Sequence, residues 1–373
     1  MYHKLFLPAS ILAGVVIGAG MFSLPYVFQV AGIATGFSYL ALFAAVFIAL
    51  YFMYADVIVR TPGEHRFVGY SKIYLGKPGF WAALWIGLVE LFIMLTIYLI
   101  LAPSFLNLFL PASRGVHALL FWLAGSVAVL FNTKRIASLE FLVVIGILAI
   151  IFSVFTSGAA GFAARYPDFG AIDLTRFFAA GPILFALSGL LGIPEIVRYF
   201  RESGVPLRNL KGALLLGGTL PVLAYAGFAI GTLGISKGAV PPDAVSGFAH
   251  MPPAFLLSIG ALGFLSLISS YVVIGLNARH ILRFDLGMPE WLSRGIVVLL
   301  PAALYFAGLQ DFIKAVSVTG FIIMPLEAIF VILMWYKARK HPSPDSVTDG
   351  RFMSLGAPLL FLFFLVVLVK GLL

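Results

Sequence analysis

Three groups of residues in this chain have types and spacings suited to chemistry. The first is Gly14–Pro25, G-V-V-I-G-A-G-M-F-S-L-P, where glycines at 14, 18 and 20 and a proline at 25 interrupt an apolar run. Glycine and proline are the poorest helix formers, so a helix through this stretch is predicted to break near Gly18–Phe22. The second lies within Ala179–Val197, where Ser188-Gly189 and Gly192-Ile193-Pro194 repeat the pattern. A broken helix exposes N–H groups at the positive end of one half, suited to a carboxylate, and carbonyls at the end of the other, suited to an ammonium or a small cation. Two such breaks facing each other can hold a zwitterion such as an amino acid without any charged side chain.

The third group could hold a coupling cation. Ser266, Ser269 and Ser270 in F-L-S-L-I-S-S-Y share a helix face by i, i+3 and i+4 spacing and offer the neutral oxygens that hard cations prefer. The same serines could instead back-bond within their helix. Carboxyl groups at Glu90, Glu195 and Glu327 offer a proton site, because ionisable groups inside a membrane are costly and default to functional hypotheses. Glu195 follows the second break directly and would move with it, although Arg198 at i+3 is an alternative partner. Asp56, four residues before Arg60, is expected to be a solvated pair.

The elements that position these residues follow from composition. The 373 residues are 62% hydrophobic and 10% charged, whereas soluble domains carry about 25% charge. Apolar runs of about 20 residues mark membrane helices. Eleven are predicted: Leu5–Val30, Ile33–Val59, Phe80–Leu110, Val116–Phe131, Ser138–Gly158, Leu174–Tyr199, Leu210–Gly234, Pro253–Ile281, Glu290–Ala307, Phe312–Tyr336 and Phe352–Leu373. Counting at about 1.5 Å per residue, Gly18–Gly20 falls roughly 20 Å into the first span. Irregular backbone at that depth is tolerated only where it is buried in protein or lines a watery cavity. Gly14-xxx-Gly18 is also a small-residue packing motif, so the first break taken alone stays ambiguous. Five spans separate it from the second, so the two broken helices run in opposite directions, as in two inverted five-helix repeats with a site between them. The repeats are placed at about 5–158 and 174–336, followed by an extra helix at about 352–373. The whole chain reads as one transmembrane domain.

Orientation follows from loop charge. With the N-terminus cytoplasmic, 18 of the 24 Lys and Arg residues lie on the cytoplasmic side, in loops that include Arg60–Lys77, Lys134-Arg135, Arg198–Lys211 and Lys337–Arg351. The C-terminus is then outside, and a cell (inner) membrane location is expected. Lys337–Arg351 reads as a solvated linker. The net charge of +9 is spread over these loops, with no basic run or nucleic-acid module. There are no cysteines, which excludes disulfides and thiolate metal sites. No metalloprotease or serine-hydrolase motif is present, so no enzyme and no cofactor is predicted.

The stretch Gly14–Gly32, G-V-V-I-G-A-G-M-F-S-L-P-Y-V-F-Q-V-A-G, resembles the first helix of the amino acid/auxin permease family and its bacterial relatives, the hydroxy and aromatic amino acid permeases. These belong to the amino acid–polyamine–organocation superfamily. Gly18, Gly20, Leu24, Pro25, Tyr26, Ala31 and Gly32 carry the match. The resemblance implies a five-plus-five inverted-repeat fold and symport of an amino acid with H⁺ or Na⁺. It implies substrate contacts from Gly18, Ala19 and Gly20 in the first break and Ser188 and Gly189 in the second, with Phe185 as a covering aromatic. Small residues at the breaks leave room for a bulky neutral side chain, aromatic ones included. The expected partners are the substrate and the lipid bilayer, with no obligate protein partner. A non-transporting receptor that senses an amino acid on the same fold is the other reading, since fold does not fix function.

Overall fold

A computed structural model describes residues 2–131, 136–340, 346–348 and 350–373, with backbone only at 2, 131, 136–144, 350–352 and 354. Lys134, Arg135 and His341 lie outside the described residues. Every regular element among those described is helical. The first helical segment is broken into α1 (Leu7–Val16) and α2 (Leu24–Ala31). Then come α3 (Ile33–Arg60), α4 (Phe67–Leu106), α5 (Arg114–Phe131) and α6 (Ile136–Arg165). A second broken segment gives α7 (Ala180–Ala186) and α8 (Ile193–Ser203). The chain closes with α9 (Leu210–Ile235), α10 (Pro253–His280), α11 (Glu290–Phe306), α12 (Phe312–Val318), α13 (Met324–Ala338) and α14 (Gly350–Leu372).

Among the described residues, eight helices are long and apolar enough to cross a bilayer, or nine if α1 and α2, bent by 55°, count as one. Eleven were expected. The other two expected segments, α5 and α11, are helical but shorter, at 18 and 17 residues. Large apolar side chains face outward, among them Trp85, Phe152, Leu223 and Leu359. This is the surface of a protein whose solvent is lipid.

Side-chain contacts sort the segment ends onto two faces. On one, Tyr199 Oη donates to the His3 carbonyl, Arg201 donates to the carbonyls of Ile58 and Gly63, and Arg66 pairs with Asn277. On the other, Gln29 Nε2 donates to the Gly238 carbonyl, Tyr39 Oη to that of Leu174, and Lys370 sits over the Phe177 ring. We call the first the basic face, because the Lys- and Arg-rich loops collect there. On the opposite face Asp173 is held by Thr175 and Arg176, and the Thr175 hydroxyl and N–H keep its carboxyl below the usual range.

Helix packing divides the chain into two groups. α1, α3, α8 and α9 pack on one another, with α7 against α3. Separately, α4, α5, α10 and α11 pack together. Two arms touch both groups: α6 lies against α9 and α10, and α13 lies against α3 and α4.

Three expectations are corrected here. The connection before the third span is largely helix: α4 begins at Phe67, not Phe80, and kinks at Gly76, whose φ of +76° suits glycine. Buried Val68, Tyr70 and Ser71 give that first stretch a core-facing side. Asp56 is not solvated but fully buried. Its carboxylate accepts from Arg60 Nε (2.9 Å), Trp335 Nε1 (3.1 Å), Ser346 Oγ (3.0 Å), the Val347 N–H (2.9 Å) and Thr348 Oγ1 (2.7 Å). The Ser346–Thr348 part of the expected solvated linker is therefore docked on α3 and α13, with Val347 and Thr348 both buried.

Candidate functional site

The two breaks form where the sequence places its glycines. α1 ends at Ile17, extended at φ −71°, ψ 93°, and Gly18 is fully extended at φ −138°, ψ −159°. A short 3₁₀ turn, Ala19–Ser23, then leads into α2, with Pro25 in its first turn, where a missing N–H costs nothing. α7 ends at Leu187, and a 3₁₀ turn at Leu190–Gly192 leads into α8 with Pro194 in its first turn. The order helix, non-helical residues, 3₁₀ turn, Pro-initiated helix is the same in both, although Ile17 and Gly18 are extended whereas Leu187 and Gly189 have ψ of 1° and 15°. The directions are opposite, since the first segment runs from the basic face and the second runs toward it.

The breaks touch. A Cβ at Gly20 would lie 2.6 Å from Ala186 Cα, and one at Gly189 would lie 2.4 Å from Val16 Cγ2, so both positions are limited to glycine by close approach. Tyr225 of α9 ties the two together: its hydroxyl lies 2.5 Å from the Val16 carbonyl and 2.8 Å from that of Ala186. Tyr51 of α3 donates to the Leu187 carbonyl at 2.6 Å. Ser23 Oγ caps the Gly20 carbonyl at 2.7 Å. Several carbonyls freed by the breaks are thus already satisfied by hydroxyls, as buried polar groups must be.

Beside the first break lies a cavity lined by Ile17, Gly18, Ala19, Met21, Phe22, Tyr98, Ile147, Ser266, Leu267 and Ser270. At about 10 Å³ it admits roughly one water molecule, far less than an amino acid needs. It joins α4, α6 and α10 to the first break. Tyr98 and Ser270 hydrogen-bond across it. Phe22 makes edge contacts with Phe105 at 5.0 Å and Phe228 at 5.4 Å.

The structure thus brings together Gly18, Ala19, Ser266 and Ser270. Gly20 and Gly189 form the contact between the breaks rather than the cavity wall. Phe185 is buried and Ser188 half-buried at the second break, and neither lines this cavity. Ser269 is buried but also off the cavity. Glu195 departs from expectation: it pairs with Arg198 at the basic face, with its side chain 38% exposed. The pair lines a vestibule of about 250 Å³ with Ile58, Glu64, His65, Arg66, Tyr70, Pro194 and Arg201. Its i+3 partner accounts for it. Glu90 and Glu327, expected separately, are both buried and hydrogen-bonded to each other.

Sequence reasoning missed Tyr51, Tyr98 and Tyr225. Each lies in an apolar helix with no local motif to mark it. The one signal was a hydroxyl at mid-span, where it must find a partner.

Comparison with known proteins agrees with this architecture. Residues 1–371 match the model of the tryptophan/tyrosine permease family. No curated protein matches in sequence. Among solved structures, MhsT in complex with L-phenylalanine superposes with a TM-score of 0.66 at 18% identity, covering 98% of this chain and 97% of that one. A manganese transporter from Eremococcus coleocola, in complex with an aromatic bis-isothiourea substituted compound, gives 0.61 at 15% identity, covering 98% and 86%. These likenesses concern the fold: an all-helical, inverted-repeat transporter architecture.

Proposed function

This chain belongs to the tryptophan/tyrosine permease family, a family of transporters rather than enzymes, and on that premise we propose that it carries a neutral, preferentially aromatic, amino acid together with a cation. The observation that carries this reading is the meeting of two oppositely directed broken helices at Gly20 and Ala186, beside a small cavity walled by backbone, hydroxyls and apolar side chains.

The chemistry runs from the backbone outward. The N–H groups of the turn that opens at Gly18 are suited to the substrate carboxylate, and its ammonium would take carbonyls at the ends of α1 and α7 in exchange for the hydroxyls of Tyr225 and Tyr51 that hold them here. Met21, Phe22, Ile147 and Leu267 supply an apolar wall for a large side chain. Tyr98 is placed to hydrogen-bond a polar group of the substrate once its contact with Ser270 opens. Because the cavity is too small for an amino acid, binding requires the group of α1, α2, α3, α7, α8 and α9 to rock against α4, α5, α10 and α11. This is alternating access about a fixed site. The L-phenylalanine held by the structurally similar MhsT and the family description support an aromatic substrate. We place the N-terminus and the basic face in the cytoplasm, following loop charge.

Counterflow in proteoliposomes tests the reading. Vesicles preloaded with unlabelled tryptophan, tyrosine or phenylalanine should accumulate the labelled amino acid without any ion gradient, and alanine should compete poorly. Binding without exchange across all neutral amino acids would instead indicate a receptor. Repeating uptake with pH and Na⁺ varied independently identifies the coupling cation.

A further inference from the structure

Glu90 on α4 and Glu327 on α13 are separated by 237 positions in sequence, yet their side chains meet in the interior, 1% and 5% exposed. Each finds the other rather than a cation, and no ion pair among the described residues involves either. Apart from that contact, Glu90 Oε1 has no hydrogen-bond partner, and neither does the hydroxyl of Tyr54 on α3, which is 1% exposed and close enough to feel the charge of Glu327. Two carboxylates in contact in a buried interior cannot both stay ionised, so the pair must share a proton. A stretch of apolar side chains would fill the same space at less cost, so packing gives no reason for the pair.

The location gives one. α13 is the arm that touches both α3 of the rocking group and α4 of the other group. Tyr54 rides on the first, and Glu90 belongs to the second. The Tyr54 ring meets Tyr70 edge-on at 6.0 Å, and Tyr70 lines the basic-face vestibule. Tyr70 at the vestibule and Tyr54 beside it, ring against ring, thus lie on the way from the vestibule to Glu327. We propose that Glu90 and Glu327 form the proton-binding site that couples substrate movement to H⁺, with Tyr54 a positioning residue whose hydroxyl meets the pair in one orientation of the rocking group.

A proton arriving from water protonates the anionic pair and makes it neutral. The same proton leaves to vestibule water, restoring one carboxylate. When Tyr54 donates to the pair it favours the anionic form, so its position decides when the proton is released. Of the charged residues on the surrounding elements, Asp56 and Arg60 of α3 pair with each other, Lys370 of α14 lies over Phe177 on the opposite face, and Arg279, Arg294 and Arg339 are engaged at the basic face. Arg279 of α10 and Arg294 of α11 pair with Glu290, and Arg339, just beyond α13, lies over Trp335 at 4.7 Å. Tyr54 is the titratable group that faces the pair, with Tyr70 behind it.

The proposal rests on the transporter reading, and one set of vesicles separates the two. Purified full-length protein is reconstituted with a trapped pH-sensitive dye and assayed for counterflow, for acid-gradient-driven accumulation of labelled substrate, and for internal acidification on adding substrate. Wild type should show all three. E90Q and E327Q should keep counterflow and lose acidification and gradient-driven accumulation by at least tenfold. Y54F removes no carboxyl, and should keep counterflow while shifting the pH profile of gradient-driven uptake. Undiminished acidification in E90Q or E327Q overturns the pair, as does Na⁺-driven accumulation by wild type without proton movement, or a Y54F profile identical to wild type. Absence of counterflow in wild type overturns the transporter reading itself.

Discussion

At the scale of single residues the two breaks separate glycines that shape the site from glycines that hold it closed. A Cβ at Gly18 would meet nothing nearer than the Val16 carbonyl at 3.9 Å, whereas one at Gly20 would lie 2.6 Å from backbone of Ala186. Gly18→Ala should therefore leave the unfolding temperature in detergent unchanged and lower uptake about tenfold, since a methyl group in a packed site is worth roughly 10–200-fold in discrimination. Gly20→Val should push the breaks apart and lose both stability and transport. Comparing melting with uptake for the pair checks the assignment; equal melting losses would remove Gly18 from the cavity wall. Tyr225 is the third test. Its hydroxyl serves carbonyls of both breaks, and Tyr225→Phe strands buried acceptors at about 1–3 kcal/mol. A melting shift together with reduced counterflow is expected, and an unchanged protein would show the bridge to be dispensable. The glycines were readable in the sequence because glycine is a poor helix former and because each mid-span cluster is followed by a proline. Tyr225 was not, because its role depends on two carbonyls that lie 209 and 39 residues away.

Elements show where local reading fails. The breaks, the helical class and most span borders follow from apolar runs and Gly/Pro punctuation, and α1, α2, α7 and α8 lie where that reasoning puts them. The docking of Ser346–Thr348 does not follow from it, because polar, Pro-containing stretches look solvated whatever receives them. What receives this one is Asp56, whose neighbour Arg60 made it look like an ordinary surface pair. A carboxylate that is fully buried with five donors around it ties the end of α3 to α13 and to the start of α14. Asp56→Ala removes the carboxylate on which Arg60, Trp335, Ser346, Val347 and Thr348 converge, and removing one member of such a buried pair costs roughly 3–5 kcal/mol. Lower thermal stability and faster trypsin cleavage after Arg339 are expected. Asp56→Ala protein with wild-type melting and cleavage would mean that the docking carries no load.

For the whole molecule, the division into two helix groups joined by α6 and α13 gives alternating access a mechanical form. It also makes membrane orientation decisive, because the vestibule beside Arg198 and Arg201 opens on the basic face. Residues far apart in sequence, His3 with Tyr199 and Arg66 with Asn277, put the basic loops on one side, so a single measurement orients the entire chain. Loop charge predicts that side to be cytoplasmic. The chain has no cysteine, so introduced cysteines report without background. Lys237→Cys, exposed on the opposite face, and Arg208→Cys, exposed on the basic face, should be distinguished by a membrane-impermeant maleimide. In intact cells the first should label and the second should stay unlabelled until the cells are lysed. The reverse pattern would turn the vestibule outward, and the path from Tyr70 to Glu327 and Glu90 would then admit protons from outside rather than release them to the cytoplasm.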